Sequence, residues 1–154
     1  MSNTIHEVFA YLCVRDVDAA IGFYQRAFGA REHYRLTEPS GRVGHAEVHF
    51  GDQVIMLAEE YPELGFTAPD PTQQQHRFSL HLHVDDADAM FLAALEAGAS
   101  AEREPVDQFY GERSANVIDP FGYRWMLGHT IEDVPVEEMQ ARYRRLFAGT
   151  GDTP

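Results

Sequence analysis

The strongest constraint on this chain is that it repeats itself. Val14 and Val84, Asp16 and Asp86, Ala19 and Ala89, Met56 and Met126, and Leu57 and Leu127 are each separated by 70 positions. A spacing held at both ends of a segment points to two copies of one supersecondary unit. Each copy opens the same way. Val8 to Val14 (VFAYLCV) is a short apolar run with strand character, followed by Asp16 as N-cap and by Val17, Ile21, Tyr24 and Phe28 at helical spacing up to Gly29. Phe78 to Val84 (FSLHLHV) alternates, and Asp85 and Asp86 then lead into Ala87 to Ala97, a run of strong helix formers stopped by Gly98. Strand-like pieces follow in each copy: Glu32–Thr37, Arg42–Phe50 and Gln53–Ala58, then Ser100–Val106, Arg113–Ile118 and Tyr123–Gly128. Each half reads βαβββ. The sequence therefore predicts an α+β fold of two tandem βαβββ modules, about 5–58 and about 77–130, within one domain covering residues 1–154.

Between the modules, residues 59–76 carry Pro62, Pro69, Pro71 and three glutamines, the composition of a linker or lid. At the other end, residues 135–147 place Val136, Met139, Tyr143 and Leu146 on one stripe, with Glu137 and Glu138 early and Arg142, Arg144 and Arg145 late. That pattern suits the helix dipole and predicts a docking helix. The balance of 12 Lys and Arg against 25 Asp and Glu gives a net charge of −13, which repels phosphate backbones and anionic lipid alike. Nucleic acid and membrane surfaces are thus excluded as partners, and a neutral or cationic ligand is favoured. One cysteine, Cys13, makes no internal bridge, and Met1 to Glu7 have neither a basic head nor an apolar stretch, so a cytoplasmic location is expected.

Strand alternation sorts the side chains into two faces. Ala10, Leu12 and Val14, and in the second copy Leu80, Leu82 and Val84, form apolar faces for the helices. Phe9, Tyr11 and Cys13, and Ser79, His81 and His83, point the other way. A two-residue turn at Gly51 and Asp52 pairs Phe50 with Gln53, His49 with Val54, Glu47 with Met56 and His45 with Ala58. Glu47 then shares a face with Met56. In the second copy a four-residue turn, Asp119 to Gly122, pairs Ile118 with Tyr123, hence Ala115 with Met126 and Arg113 with Gly128. Arg113 joins that face.

The segments VRDVDAAIGFYQRAFGA, GHAEVHFGDQVIML and YGERSANVIDPFGYRW, on top of the doubled βαβββ plan, resemble the vicinal oxygen chelate superfamily of glyoxalase I, bleomycin-resistance proteins and extradiol dioxygenases, and within it the PhnB-like branch. The resemblance implies a cupped, incomplete barrel, usually in a homodimer, with the cavity inside the cup. It also implies metal positions, which fall here at Phe9, Met56, Ser79 and Met126. None of these is a usable ligand for a hard or borderline divalent ion, so no metal is expected there and no cofactor overall. Met56 and Met126, with Phe9, would make the floor of the cup apolar and adaptable.

Within that cup, Glu47 beside Met56 is the best candidate general base, with a carboxyl raised by desolvation and with His45 as its partner. His81 and His83 lie on the matching face as hydrogen-bonding groups for a ligand. A displaced divalent metal held by His45, Glu47 and one of these two is the chemically sensible alternative. Tyr110, Glu112 and Arg113 stand to close the cup, Arg113 either gripping an anionic ligand group bidentately or pairing internally with Glu47. Trp125 and Cys13 read as core. The combined reading is a homodimer binding a small, partly apolar or aromatic molecule through Phe9, Tyr11, Met56, Ser79, His81, His83, Tyr110, Arg113 and Met126. The competing reading is a lyase, isomerase or hydrolase that uses Glu47 as base with His45 or His81.

Overall fold

The computed structural model describes residues 3–148; residues 1–2 and 149–154, the ends of the expected domain, lie outside the described residues. The fold is α+β. In chain order the elements are β1 (Ala10–Cys13), α1 (Val17–Phe28), β2 (Arg31–Thr37), β3 (Val43–Phe50) and β4 (Gln53–Ala58), then β5 (Ser79–His83), α2 (Ala87–Ala97), β6 (Ser100–Asp107), β7 (Glu112–Ile118) and β8 (Arg124–Thr130), and finally α3 (Val136–Phe147). They build two open four-stranded sheets of matching order, β1-β4-β3-β2 and β5-β8-β7-β6.

The repeat extends to local geometry. Asp16 and Asp86 are N-caps with nearly the same backbone angles (φ −145° and −146°), and their side chains accept from Ala19 N at 3.0 Å and Ala89 N at 3.1 Å. Gly29, at φ 68°, closes α1 with a left-handed residue that other side chains rarely adopt. The parallel pairs correspond too: Tyr11 lies beside Met56 and Leu12 beside Leu57, as His81 lies beside Met126 and Leu82 beside Leu127.

Alternation drives Leu12, Ala46, Val48, Leu57, Ala115, Val117, Trp125 and Leu127 to the helix side, where they are buried. An aromatic cluster joins the modules there: Trp125 stacks on Phe50 (5.4 Å, 15°) and packs against Phe28 (4.9 Å) and Tyr24 (5.4 Å). At its centre sits Asp119, 2% exposed. It accepts from Tyr24 Oη and Trp125 Nε1 at 2.8 Å each, and from the amides of Phe121 and Tyr123 at 2.9 Å each. Burial pushes this carboxyl up from its ordinary range, and the four donors pull it back down.

That aspartate corrects the sequence reading of the second hairpin. Asp119 N donates to Tyr123 O at 2.8 Å, and the Tyr123 hydroxyl donates to Cys13 O (2.7 Å) while accepting from Cys13 N (3.0 Å). These bonds set Asp119 opposite Tyr123, so five residues, not four, lie between Ile118 and its partner Arg124. The register becomes Ile118 with Arg124, Asn116 with Met126, Ser114 with Gly128 and Arg113 with His129. A one-residue slip exchanges the two faces of a strand. The first hairpin needs no correction: Phe50 pairs with Gln53, His49 with Val54 and Glu47 with Met56. Two further differences concern the ends. Val8 and Phe9 precede β1 and are exposed, and α3 buries none of its residues, docking through Arg142 on Glu132 and Phe109 O and through Tyr143 on Phe109.

Candidate functional site

In module one, the row Tyr11, Met56, Glu47, Tyr34 crosses β1, β4, β3 and β2 on the open face. Three of these residues, with His45, form one hydrogen-bonded chain. The Tyr34 hydroxyl donates to Glu47 Oε2 at 2.8 Å, His45 Nε2 lies 3.1 Å from the same oxygen, and the Tyr11 hydroxyl lies 2.7 Å from His45 Nδ1. A carboxylate only accepts, so Nε2 carries the proton toward Glu47; in the neutral imidazole, Nδ1 is then free to accept from Tyr11. The bonds from His45 and Tyr34 hold the Glu47 carboxyl below its ordinary range. This reverses the expectation of a carboxyl raised by desolvation: Glu47 is a well-satisfied acceptor and a weak base. The phenols respond in kind, Tyr11 pushed up by burial and by the Glu47 charge, Tyr34 by its bond to Glu47.

Beside this chain lies an apolar pocket of about 360 Å³, lined by Tyr11, Gly44, Ala58, Tyr61, Leu64 and Phe66. The segment between the modules supplies its outer wall. Tyr61 and Phe66 bridge across the short 3-10 turn Pro62–Leu64, and the Phe66 ring meets Tyr11 edge-on at 5.9 Å. Glu59 anchors the start of this segment by accepting from Val17 N and Val43 N at 2.9 Å each. Tyr61 donates its hydroxyl to Glu38 and carries the Arg42 guanidinium 3.8 Å above its ring. A Cβ at Gly44 would lie 2.6 Å from the Tyr61 hydroxyl oxygen, so a larger residue there would push that side chain aside.

Module two carries a different group. His81 and His83, two apart on β5, turn their rings toward each other with centroids 4.8 Å apart, and Glu112 reaches them from the start of β7. His83 Nε2 lies 2.8 Å from Glu112 Oε1, and His81 Nε2 lies 3.6 Å from Oε2, beyond hydrogen-bond reach. Burial holds the His81 imidazole below its ordinary range, Glu112 pulling it back up and His83 pushing it further down. Among the described residues, no hydrogen bond, ion pair or ring contact links this group to the Tyr11–His45–Glu47 chain, and the pocket beside that chain is lined by module one and the linker.

The remaining expected residues scatter. Arg113, moved to the helix side by the register, binds Asp88 of α2 through Nε (2.7 Å) and Nη2 (2.9 Å) and Asp107 through Nη1 (3.0 Å). It neither faces the cup nor pairs with Glu47. Tyr110 packs edge-on against Phe109 in the turn before β7. Phe9 is exposed before β1, Ser79 lies beside Arg124, and Met56 and Met126 sit beside Tyr11 and His81. Tyr34, Tyr61, Leu64 and Phe66 join the site although the sequence did not single them out. The bulge around His33 in β2, which brings Tyr34 opposite Glu47, has no local signature, but the Gly65 turn between Leu64 and Phe66 does.

Comparison with known proteins agrees with this architecture. An uncharacterized protein of Mycobacterium bovis, Mb0911c, is 38% identical over 133 residues, spanning 85% of this chain and 88% of its own. The uncharacterized protein Rv0887c of Mycobacterium tuberculosis is also 38% identical, over 85% of this chain and 78% of its own. Among solved structures, TioX from Micromonospora sp. ML1 superposes with a TM-score of 0.62 at 22% identity, over 81% of this chain and 98% of that one. A glyoxalase/bleomycin resistance protein/dioxygenase family enzyme from Burkholderia phytofirmans PsJN gives 0.63 at 23%, over 79% and 96%. The model of one family matches residues 4–127, from before β1 to the middle of β8. The doubled βαβββ plan that opened the sequence is therefore that of the Glyoxalase/Bleomycin resistance protein/Dioxygenase superfamily, to which this chain belongs.

Proposed function

We propose that the protein binds a small aromatic or partly apolar molecule on the open face of module one, as a binding protein of the PhnB-like branch. The observation that carries this reading is the pocket walled by Tyr11, Tyr61, Leu64 and Phe66 next to the Tyr11–His45–Glu47–Tyr34 chain. Its volume lies in the lower part of the range of about 300–1,000 Å³ typical of small-molecule sites. Aromatic walls give contact area at little entropic cost, and one polar network orients the occupant. The depressed Glu47 carboxyl favours this acceptor role over that of a general base.

The superfamily's usual metal does not fit this chain. Phe9 offers no donor atom, Ser79 a poor one, and the thioethers of Met56 and Met126 prefer soft ions. No step is derived through a metal at those positions.

A thermal-shift screen of small aromatic compounds, followed by calorimetry, tests the proposal. A hit should lose at least about tenfold in affinity, about 1.4 kcal/mol, in Tyr11→Ala and in Phe66→Ala. Equal binding to wild type and both variants would refute the assignment. The exposed stripe of α3, with Val136 74% and Leu146 56% exposed, supports a homodimer as the working state. Light scattering giving a monomer mass at micromolar concentration would exclude it. No described helix is long and apolar enough to cross a membrane.

A further inference from the structure

We propose that His81, His83 and Glu112 form a binding site for one divalent transition-metal ion on the open face of module two, distinct from the superfamily's metal positions. The three residues come from β5 and β7, on either side of β8, and their ligand atoms lie within 4.8 Å of one another. A simple ion pair accounts for only part of the arrangement. His83 satisfies Oε1 of Glu112, yet Oε2 is buried with no hydrogen-bond partner, although it faces the His81 ring nitrogen at 3.6 Å. A buried carboxylate oxygen is costly to leave without a partner. A cation among the three groups would fill it.

The spacing suits such an ion. Ligands at about 2.0–2.1 Å around a tetrahedral centre stand about 3.3 Å from one another. The observed distances, 2.8 Å from His83 Nε2 to Oε1 and 3.6 Å from His81 Nε2 to Oε2, bracket that figure, and small side-chain rotations would draw all three groups, now within 4.8 Å of one another, onto one ion. Space is provided by Gly128 of β8, which lies beside His83 and opposite Ser114. A Cβ there would stand 3.0 Å from both Glu112 Oε2 and His81 Nε2, so any other residue would intrude between the ligands. Two imidazoles with one carboxylate select first-row transition ions over Ca²⁺ or Mg²⁺, which want oxygen alone. Three protein ligands, with the His83 side chain 68% exposed, leave coordination positions open to a small molecule. The net charge of −13 attracts the cation.

The site stands apart from the module-one pocket, so its test is independent of the ligand proposed there. Protein carrying no histidine tag and stripped with chelator is titrated with Co²⁺, following the visible d–d absorption, and then with Zn²⁺ by displacement. One equivalent of Co²⁺ should bind and be displaced by Zn²⁺ but not by millimolar Mg²⁺. His81→Ala and Glu112→Gln should each weaken binding at least about 100-fold, the upper range for loss of even an outer partner of a metal ligand. Gly128→Ala should weaken it as well, while His45→Ala and Glu47→Gln should leave it unchanged. Circular dichroism checks that each variant is folded, and His83→Ala, at the most exposed of the three positions, supplies a ligand variant least prone to misfold. Absence of saturable binding, unaltered affinity in the His81, His83 and Glu112 variants, or loss of binding in the His45 and Glu47 variants would each overturn the proposal.

Discussion

The two modules share a skeleton and differ in what their open faces carry. Module one joins β3 to β4 through the two residues Gly51 and Asp52, and its face presents phenols, imidazoles and Glu47 around an apolar pocket. Module two has a hairpin one residue longer, with ten positions from Asn116 to its partner Met126 against nine from Glu47 to Met56, and its face presents His81, His83 and Glu112. The parallel strand pairs are equivalent in both, Tyr11 with Met56 and His81 with Met126. With the longer hairpin, Asn116 takes the place opposite Met126 that Glu47 holds opposite Met56, so Glu112, Ser114 and Asn116 lie on the open face and Arg113 on the helix side. The two faces differ in the side chains at matching positions, not in the plan of the sheet.

Asp119 holds the β7–β8 turn, so its removal should have the largest effect. Asp119→Ala leaves Tyr24 Oη, Trp125 Nε1 and two amides without their acceptor in the core. Urea unfolding should show a loss of about 3 kcal/mol or more, a large share of a domain's stability. The equivalent turn of module one contains no such centre, and Asp52→Ala should cost little by comparison. Tyr123→Phe removes only the hydroxyl that ties module two to the Cys13 backbone. A loss of about 1–2 kcal/mol is expected, measurable in the same experiment.

Smaller effects distinguish the two faces. Gly44→Ala should force the Tyr61 hydroxyl away and reduce ligand affinity in module one without touching metal affinity in module two. Gly128→Ala should do the opposite. Glu47→Gln should act through pH. Because the folded Glu47 carboxyl is depressed, its contribution to stability is present above the ordinary carboxylate range and is lost as pH falls through the depressed value. The stability difference between wild type and Glu47→Gln should therefore be visible at neutral pH and vanish on acidification, a direction that thermal melts across pH 3–7 would check, on the order of the usual carboxylate window.

Much of the framework was legible in the sequence because local chemistry determined it. Asp16 and Asp86 cap their helices, Gly29 and Gly98 end them, and Gly51 with Asp52 sets the first hairpin, each through contacts within a few residues. Glu47, His45 and Tyr11 could be grouped on one face for the same reason. The second hairpin was not legible. Its extra residue is held by a hydroxyl bond from Tyr123 to Cys13, 110 positions away, and by Tyr24, 95 positions from Asp119. Nothing in the run Asp119–Pro120–Phe121–Gly122 reports those partners, and Arg113 was placed on the wrong face in consequence. The pocket wall was illegible for a similar reason, since Phe66 meets Tyr11 only because the linker folds back along β1 and β3.

The register of β7 on β8 decides which side chains the second face displays, and cross-strand backbone NOEs in isotopically labelled protein read it directly. Contacts should connect Asn116 with Met126 and Ser114 with Gly128, placing Glu112 beside the two histidines. Contacts connecting Ala115 with Met126 and Arg113 with Gly128 would contradict the account, returning Arg113 to the open face and dismantling the His81–His83–Glu112 group.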